Sequence, residues 1–208
     1  MLNFATNHSR MKISKKLIVI GVLVLTLILL YSFFSGSYNS MVTYEEKVSA
    51  QWSMVENVYQ RRSDLIPNLV NTVKGAANFE KSTLEAVMKA RAEATSVKIS
   101  PENLNDESLA KFQQAQDGLS SALSRLLVSV ENYPDLKANQ NFLGLQDQLE
   151  GSENRIATER RKYNEMVQDY NVFIRKFPRN LIAGLFGFDK KGYFKAMAGS
   201  EKAPAVQF

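Results

Sequence analysis

The chain has 208 residues, enough for one domain with a real core once a membrane segment is set aside. It has no cysteine, which excludes disulfides, thiolate metal sites and lipid-modified cysteines. The net charge of +5 is not a nucleic-acid footprint. Of 26 basic residues, Arg10, Lys12, Lys15 and Lys16 precede position 17 with no acidic neighbour, leaving 22 against 21 acidic residues in the rest of the chain.

Residues 1–16 therefore read as a basic tail, and residues 17–34 as a transmembrane helix. The second stretch holds 18 residues without a charge, or about 27 Å of helix, close to the hydrocarbon thickness of a bilayer. Tyr31, Phe33 and Phe34 sit at one end, where aromatic interface anchors sit. A cleaved signal peptide is the competing reading, since Ser35-Gly36-Ser37 is a run of small residues. The apolar run is longer than a signal core and no A-x-A site follows, so a retained anchor is favoured. The four positive charges before the helix predict a cytoplasmic N-terminus and a domain outside the cytoplasm, in the bacterial inner membrane.

The remainder, residues 35–177, reads as an all-α, elongated antiparallel bundle of long, coiled-coil-like helices. The spacing predicts helices over about 37–63, 65–95, 106–132 and 134–176. Met41, Glu45, Val48, Trp52, Val55 and Tyr59 form the first stripe. Pro67 predicts a kink or restart, with Asp64 as N-cap of the restarted helix. Leu109, Phe112, Gln116, Leu119, Leu123, Leu126, Val130 and Tyr133 form the stripe of the third helix. In the fourth, Phe142, Leu145, Leu149, Ser152, Ile156, Glu159, Tyr163, Met166, Tyr170, Phe173 and Phe177 step by three and four, a period that favours coiled-coil-like packing. Residues 178–208 read as an apolar segment followed by a tail whose last ten residues look disordered.

The residue inventory argues against an enzyme and implies no cofactor or metal. The one histidine is His8, and no zinc, di-iron or phosphate-loop pattern is present. The polar residues on apolar stripes are more informative. Glu159 predicts an internal ion pair that sets helix register, with Arg61, Arg62 or Arg91 as partner. Asn164 and Asn171, each following a tyrosine, predict interhelical hydrogen bonds. Leu181, Ile182, Leu185, Phe186 and Phe188 are five large apolar groups in nine residues, so this segment is expected to dock on the bundle, a second subunit or the bilayer surface.

Taken together, these residues resemble the LemA family of bacterial membrane proteins. The resemblance rests on Tyr38-Asn39, Trp52 and above all Arg61-Arg62-Ser63-Asp64-Leu65-Ile66-Pro67-Asn68-Leu69-Val70. Tyr133-Pro134-Asp135-Leu136-Lys137-Ala138-Asn139, Glu153-Asn154-Arg155-Ile156-Ala157, the two Tyr-Asn pairs, Phe177-Pro178 and Gly187-Phe188 extend it over residues 15–194. It implies a single anchor, an antiparallel four-helix-type bundle and no established enzymatic activity. It also implies the opposite orientation, with the domain in the cytoplasm, whereas the charge asymmetry argues for the domain outside. The functional expectation is a membrane-anchored, non-enzymatic scaffold that self-associates as a homo-oligomer. A sensory or adaptor domain for a protein partner or small ligand is the alternative. The lipid bilayer is the expected partner and nucleic acid is not.

Overall fold

The computed structural model describes residues 15–75 and 79–195. The chain divides into two compact units, residues 1–40 and 41–208. Among the described residues there are six α-helices and no strand: α1 (Lys15–Lys74), α2 (Lys81–Ser96), α3 (Asp106–Val130), α4 (Pro134–Lys137), α5 (Gln140–Arg175) and α6 (Arg179–Phe186). The all-α expectation holds. The expected tail disorder falls outside the described residues.

The first unit is apolar helix with its side chains exposed, from Leu17 to Phe34. It is the one stretch among the described residues long and apolar enough to cross a membrane. The Thr26 hydroxyl donates to the Val22 carbonyl at 2.8 Å. That contact satisfies its polar group within the helix, as a lipid environment requires.

The second unit is an up-down-up-down bundle of the later part of α1 with α2, α3 and α5. Ring and charge contacts set the directions. Tyr44 meets Phe173 and Trp52 meets Tyr163, with centroids 4.7 and 5.7 Å apart, and Arg62 meets Glu153; as α1 advances, α5 retreats. α3 runs with α1, because Trp52 and Tyr59 face Phe112 and Arg62 reaches Gln116 and Ser120. α2 returns along α1, since it starts just beyond the end of α1 and brings Arg91 back to Ser63.

Two helix boundaries differ from expectation. α1 does not restart at Pro67 but continues to Lys74, and the next helix, α2, starts at Lys81. Asp64 is accordingly no N-cap. It lies exposed inside α1 and accepts from the Gln60 side-chain amide at 2.7 Å. The predicted helix over 134–176 is split into α4 and α5. Asn139 causes the split: its side chain accepts from the Asn141 and Phe142 amides at 2.9 and 3.2 Å, capping the second helix. α3 starts where expected, behind a capping box formed by Asn105 and Ser108.

The core lies in two compartments. One collects Met41, Val48, Trp52, Val55 and Tyr59 of α1 with Phe112, Ile156, Tyr163, Val167 and Tyr170. The other collects Ile66, Leu69 and Val73 of α1 with Leu84, Val87, Leu119, Leu123, Leu126, Phe142 and Leu149. On α5 the buried positions beyond Tyr163 are Val167, Tyr170, Asn171 and Ile174, while Met166 and Phe173 are half-buried beside them. A helix of 3.6 residues per turn drifts against a 3.5 repeat, so the buried face moves by one position over these turns.

Candidate functional site

Between the two compartments lies a polar layer. On α1 the apolar positions stop at Tyr59 and resume at Ile66; on α3 they stop at Phe112 and resume at Leu119; on α5 they stop at Leu149 and resume at Ile156. Arg62, Ser63, Gln116 and Ser152 occupy the gap and are all buried. Arg62, only 1% exposed, is the hub. Its Nη1 donates to Glu153 Oε1 at 2.5 Å and to Ser120 Oγ at 2.9 Å, and its Nη2 donates to Gln116 Oε1 at 2.7 Å. Gln116 Nε2 in turn donates to the Ala94 carbonyl at 3.1 Å. One guanidinium thus joins α1 to α3 and α5 directly, and to α2 through Gln116. Its planar fork of donors suits this multiple bonding. The Tyr59 ring lies 5.2 Å from the guanidinium carbon and covers one face.

Next to this layer, Arg91 of α2 explains why α1 survives Pro67. Proline has no N–H, so the Ser63 carbonyl four residues earlier loses its helical donor. Arg91 Nε supplies the missing bond to Ser63 O at 2.8 Å. The helix therefore continues with its backbone satisfied.

A second construction closes the first compartment. After α6, Gly187 takes a left-handed conformation (φ 75°) and its N–H bonds to Ala183 O, a C-terminal cap that only glycine adopts without strain. Residues 188–195 then run back along α5 as an extended strap. Asn171 Nδ2 donates to Lys191 O at 2.9 Å, and the Lys191 N–H donates to Asn171 Oδ1 at 3.0 Å. Asn164 makes the same pair with Phe194, both at 2.9 Å. Gln113 of α3 repeats it on Lys195, at 3.0 and 3.3 Å. The spacing explains the fit: seven residues of helix rise about 10.5 Å, and three residues of extended chain cover about 10 Å. Each amide side chain offers one donor and one acceptor, the complement of a backbone residue.

The strap also buries side chains. Phe194 stacks on Trp52 (6.1 Å) and edges against Tyr163 (5.4 Å), with the Arg160 guanidinium 4.8 Å above it. Buried Lys191 pairs with Glu45 at 2.7 Å. Tyr170 donates its hydroxyl to Asp189 O at 3.0 Å. Gly192 packs so closely on the start of α3 that a Cβ would lie 2.7 Å from the Asn105 carbonyl carbon. Its N–H bonds to Leu104 O at 2.8 Å.

Several sequence expectations are corrected here. Glu159 is partly exposed and pairs with no arginine. It accepts from Lys162 Nζ (2.9 Å) and Gln51 Nε2 (2.6 Å), and the Lys162 bond, followed by the Gln51 bond, holds its carboxyl below the usual value. The buried arginine does have a carboxylate, but it is Glu153, one helical residue outside the stripe that drew attention to Glu159. Arg61 points to solvent, and so does Asn68, whose carbonyl accepts from Thr72. Asn164 and Asn171 bind the strap backbone rather than another helix. Of the surfaces open to Leu185 and Phe186, their own bundle is not the one they meet, since both are exposed; Ile182 and Ala183 are the residues of α6 that go inside. Gln113 and Gly192 carry the geometry without having been singled out, and Glu153 figured only within a stretch that carries the resemblance. Gln116 did leave a signal, as the one amide on an otherwise apolar stripe.

An open cleft of about 280 Å³ borders the polar layer, lined by Glu56, Tyr59, Ser63, Thr95, Lys98 and Gln116 among others. Burial pushes the Glu56 carboxyl above its ordinary value. Among the described residues no group of three or more His, Asp or Glu side chains is placed to hold a metal ion.

A model of the LemA family matches residues 51–208, which include the whole polar layer and the strap. This chain belongs to the LemA family. The magnetosome protein MamQ 2 of Paramagnetospirillum magneticum is 31% identical over 175 residues, covering 76% of this chain and 64% of its own length. MamQ of Magnetospirillum gryphiswaldense is 29% identical over 194 residues, 85% of this chain and 71% of its own. Protein LemA of Metamycoplasma hominis is 24% identical over 169 residues, 81% and 74% respectively. The chain thus spans just under two thirds of the MamQ 2 length. In this LemA-family chain, the Arg-Arg-Ser-Asp-Leu-Ile-Pro stretch carries Arg62, whose guanidinium reaches α3 and α5, and Ser63, whose carbonyl accepts from Arg91.

Proposed function

We propose that this chain is a non-enzymatic scaffold that is anchored in the bacterial cytoplasmic membrane by residues 17–34 and self-associates there. One observation carries the reading: the buried and half-buried polar side chains of the bundle are spent largely on the chain itself, with Arg62 Nε, Ser63 Oγ and the Tyr163 hydroxyl the buried side-chain atoms left over among the described residues. Arg62, Gln116, Asn164, Asn171 and Lys191 each bind a helix or the strap. A site for chemistry keeps polar groups aimed at a reacting atom instead. A scaffold needs a stiff, cross-braced body, and these bonds between helices and strap supply bracing of that kind. The charge flank orients the N-terminus to the cytoplasm and the bundle outside it.

The test is the mass of the full chain in mild detergent, with chemical cross-linking alongside. A discrete oligomer is expected, and a monodisperse monomer at all concentrations would rule self-association out. A reporter fused after Phe208 should be active only outside the cytoplasm; activity confined to the cytoplasm would reverse the orientation.

A second reading, a sensory or adaptor domain, is favoured by the cleft beside Ser63 and Gln116. A ligand there would touch the layer that joins all four helices. Saturable chemical-shift changes at Gln116 on adding a small polar metabolite would support it over the scaffold.

A further inference from the structure

Ten large apolar side chains of the second unit are exposed among the described residues, and five of them, Val172, Phe177, Leu181, Leu185 and Phe186, fall within fifteen residues at 45–81% exposure. Side chains of this size gain by leaving water. α6 is two-faced: Ile182 and Ala183 turn inward, while Leu181 and Leu185, one turn apart, turn outward. Around them stand Arg175, Lys176, Arg179 and Lys190, with Asp189 the only acidic residue between 172 and 190. Arg179 is held in place over the Phe173 ring at 4.1 Å.

We propose that α6 and its flanks are an interfacial membrane contact that lies on the anionic lipid surface of the bilayer crossed by residues 17–34. Exposed leucine and phenylalanine beside lysine and arginine is the composition of helices that sit at the headgroup boundary. Each basic residue near an anionic lipid surface adds to the attraction. Tyr44, which packs on Phe173 at this end of the bundle, is ten residues after Phe34, a length of chain that reaches at most about 35 Å. A second copy is the poorer occupant, because an isologous contact would set this cationic surface against itself. The proposal rests on residues 17–34 being a membrane anchor, and the experiment separates the two.

The chain has no cysteine, so single labels report single places. Spin labels are placed on the full chain through Leu185→Cys, Val128→Cys and Leu25→Cys. Each variant is reconstituted into phosphatidylcholine vesicles with or without phosphatidylglycerol, and collision with a water-soluble nickel chelate is measured. The expected result is a Leu185 label shielded from nickel at least about tenfold relative to the Val128 label in anionic vesicles, and largely exposed in neutral ones. Equal accessibility at Leu185 and Val128 in anionic vesicles would overturn the proposal. Shielding accompanied by spin–spin broadening would overturn it in favour of a second copy, and equal shielding in neutral vesicles would overturn the anionic surface. A Leu25 label open to nickel would bring down the anchor as well, whereas a protected Leu25 with an open Leu185 defeats the patch alone.

Discussion

Arg91 Nε donates to the Ser63 carbonyl at 2.8 Å, and Ser63 is the residue whose helical partner would have been the missing N–H of Pro67. A side chain of α2 thus repairs the backbone of α1. The pairing predicts a specific energetic coupling. Arg91→Ala should cost about 1–3 kcal/mol by leaving a partly buried carbonyl unpaired. In a Pro67→Ala background the restored N–H satisfies Ser63, and the same change should cost about 1 kcal/mol or less. Denaturant unfolding of the four proteins of the cycle in mild detergent measures this, and equal costs in both backgrounds would refute the repair.

Arg62 should be the most sensitive polar position of the bundle. Arg62→Met removes the hub with its side-chain hydrogen bonds and leaves Gln116 Oε1 without its donor in the core, at a cost of about 3 kcal/mol. Glu153→Gln should cost less, about 1–2 kcal/mol, because Glu153 is 47% exposed on its side chain and water takes over part of its role. Chemical denaturation monitored by Trp52 fluorescence, which reports the neighbouring compartment, orders the two.

The asparagine clamps predict local release rather than global unfolding. Asn164→Ala or Asn171→Ala removes two hydrogen bonds to the strap, worth about 1–3 kcal/mol. Hydrogen exchange should accelerate at Lys191 and Phe194 while the amides of α2 and α3 keep their protection. Gly192→Ala should have the same signature, because its Cβ meets the backbone of Asn105 and Asp106. Uniform acceleration over the whole bundle would mean that the strap is not a separate cooperative unit.

Alkaline pH should loosen the first compartment. Tyr59, Tyr163 and Tyr170 are all pushed above their ordinary value near 10, chiefly by burial. A folded-state value above the unfolded one means that the stability tied to the neutral phenol is fully present below about pH 10 and is lost as pH rises beyond it. The loss is at most about 1.4 kcal/mol per pH unit for each tyrosine. Urea midpoints between pH 9 and 11 should fall, and the slope should become shallower in Tyr163→Phe, which keeps the ring and removes the ionisable group. An unchanged slope would show that the tyrosine does not carry the effect.

Much of this architecture is written in local pattern. The 18 uncharged residues at 17–34, the stripes through Trp52, Phe112 and Ile156, and the all-helical class follow from spacings of three and four, because those place side chains on one helix face whatever the helix packs against. The glutamine within the α3 stripe is the trace that the polar layer leaves in the pattern, one that spacing alone does not interpret. What the pattern does not contain is which groups meet across helices. Pro67 reads as a break until α2 brings Arg91 to Ser63. Glu159 reads as the buried carboxylate because it lies on the repeat, yet the register of α5 against α1 delivers Glu153 to Arg62. Asn164 and Asn171 read as interhelical, yet Gly187 turns the chain so that residues 191 and 194 arrive at their amides. In each case the deciding contact joins residues 20 to 91 positions apart. Sequence alone determined which surfaces are apolar. Tertiary packing decided which polar groups could find partners, because a hydrogen bond depends on a distance and an angle that no single helix sets.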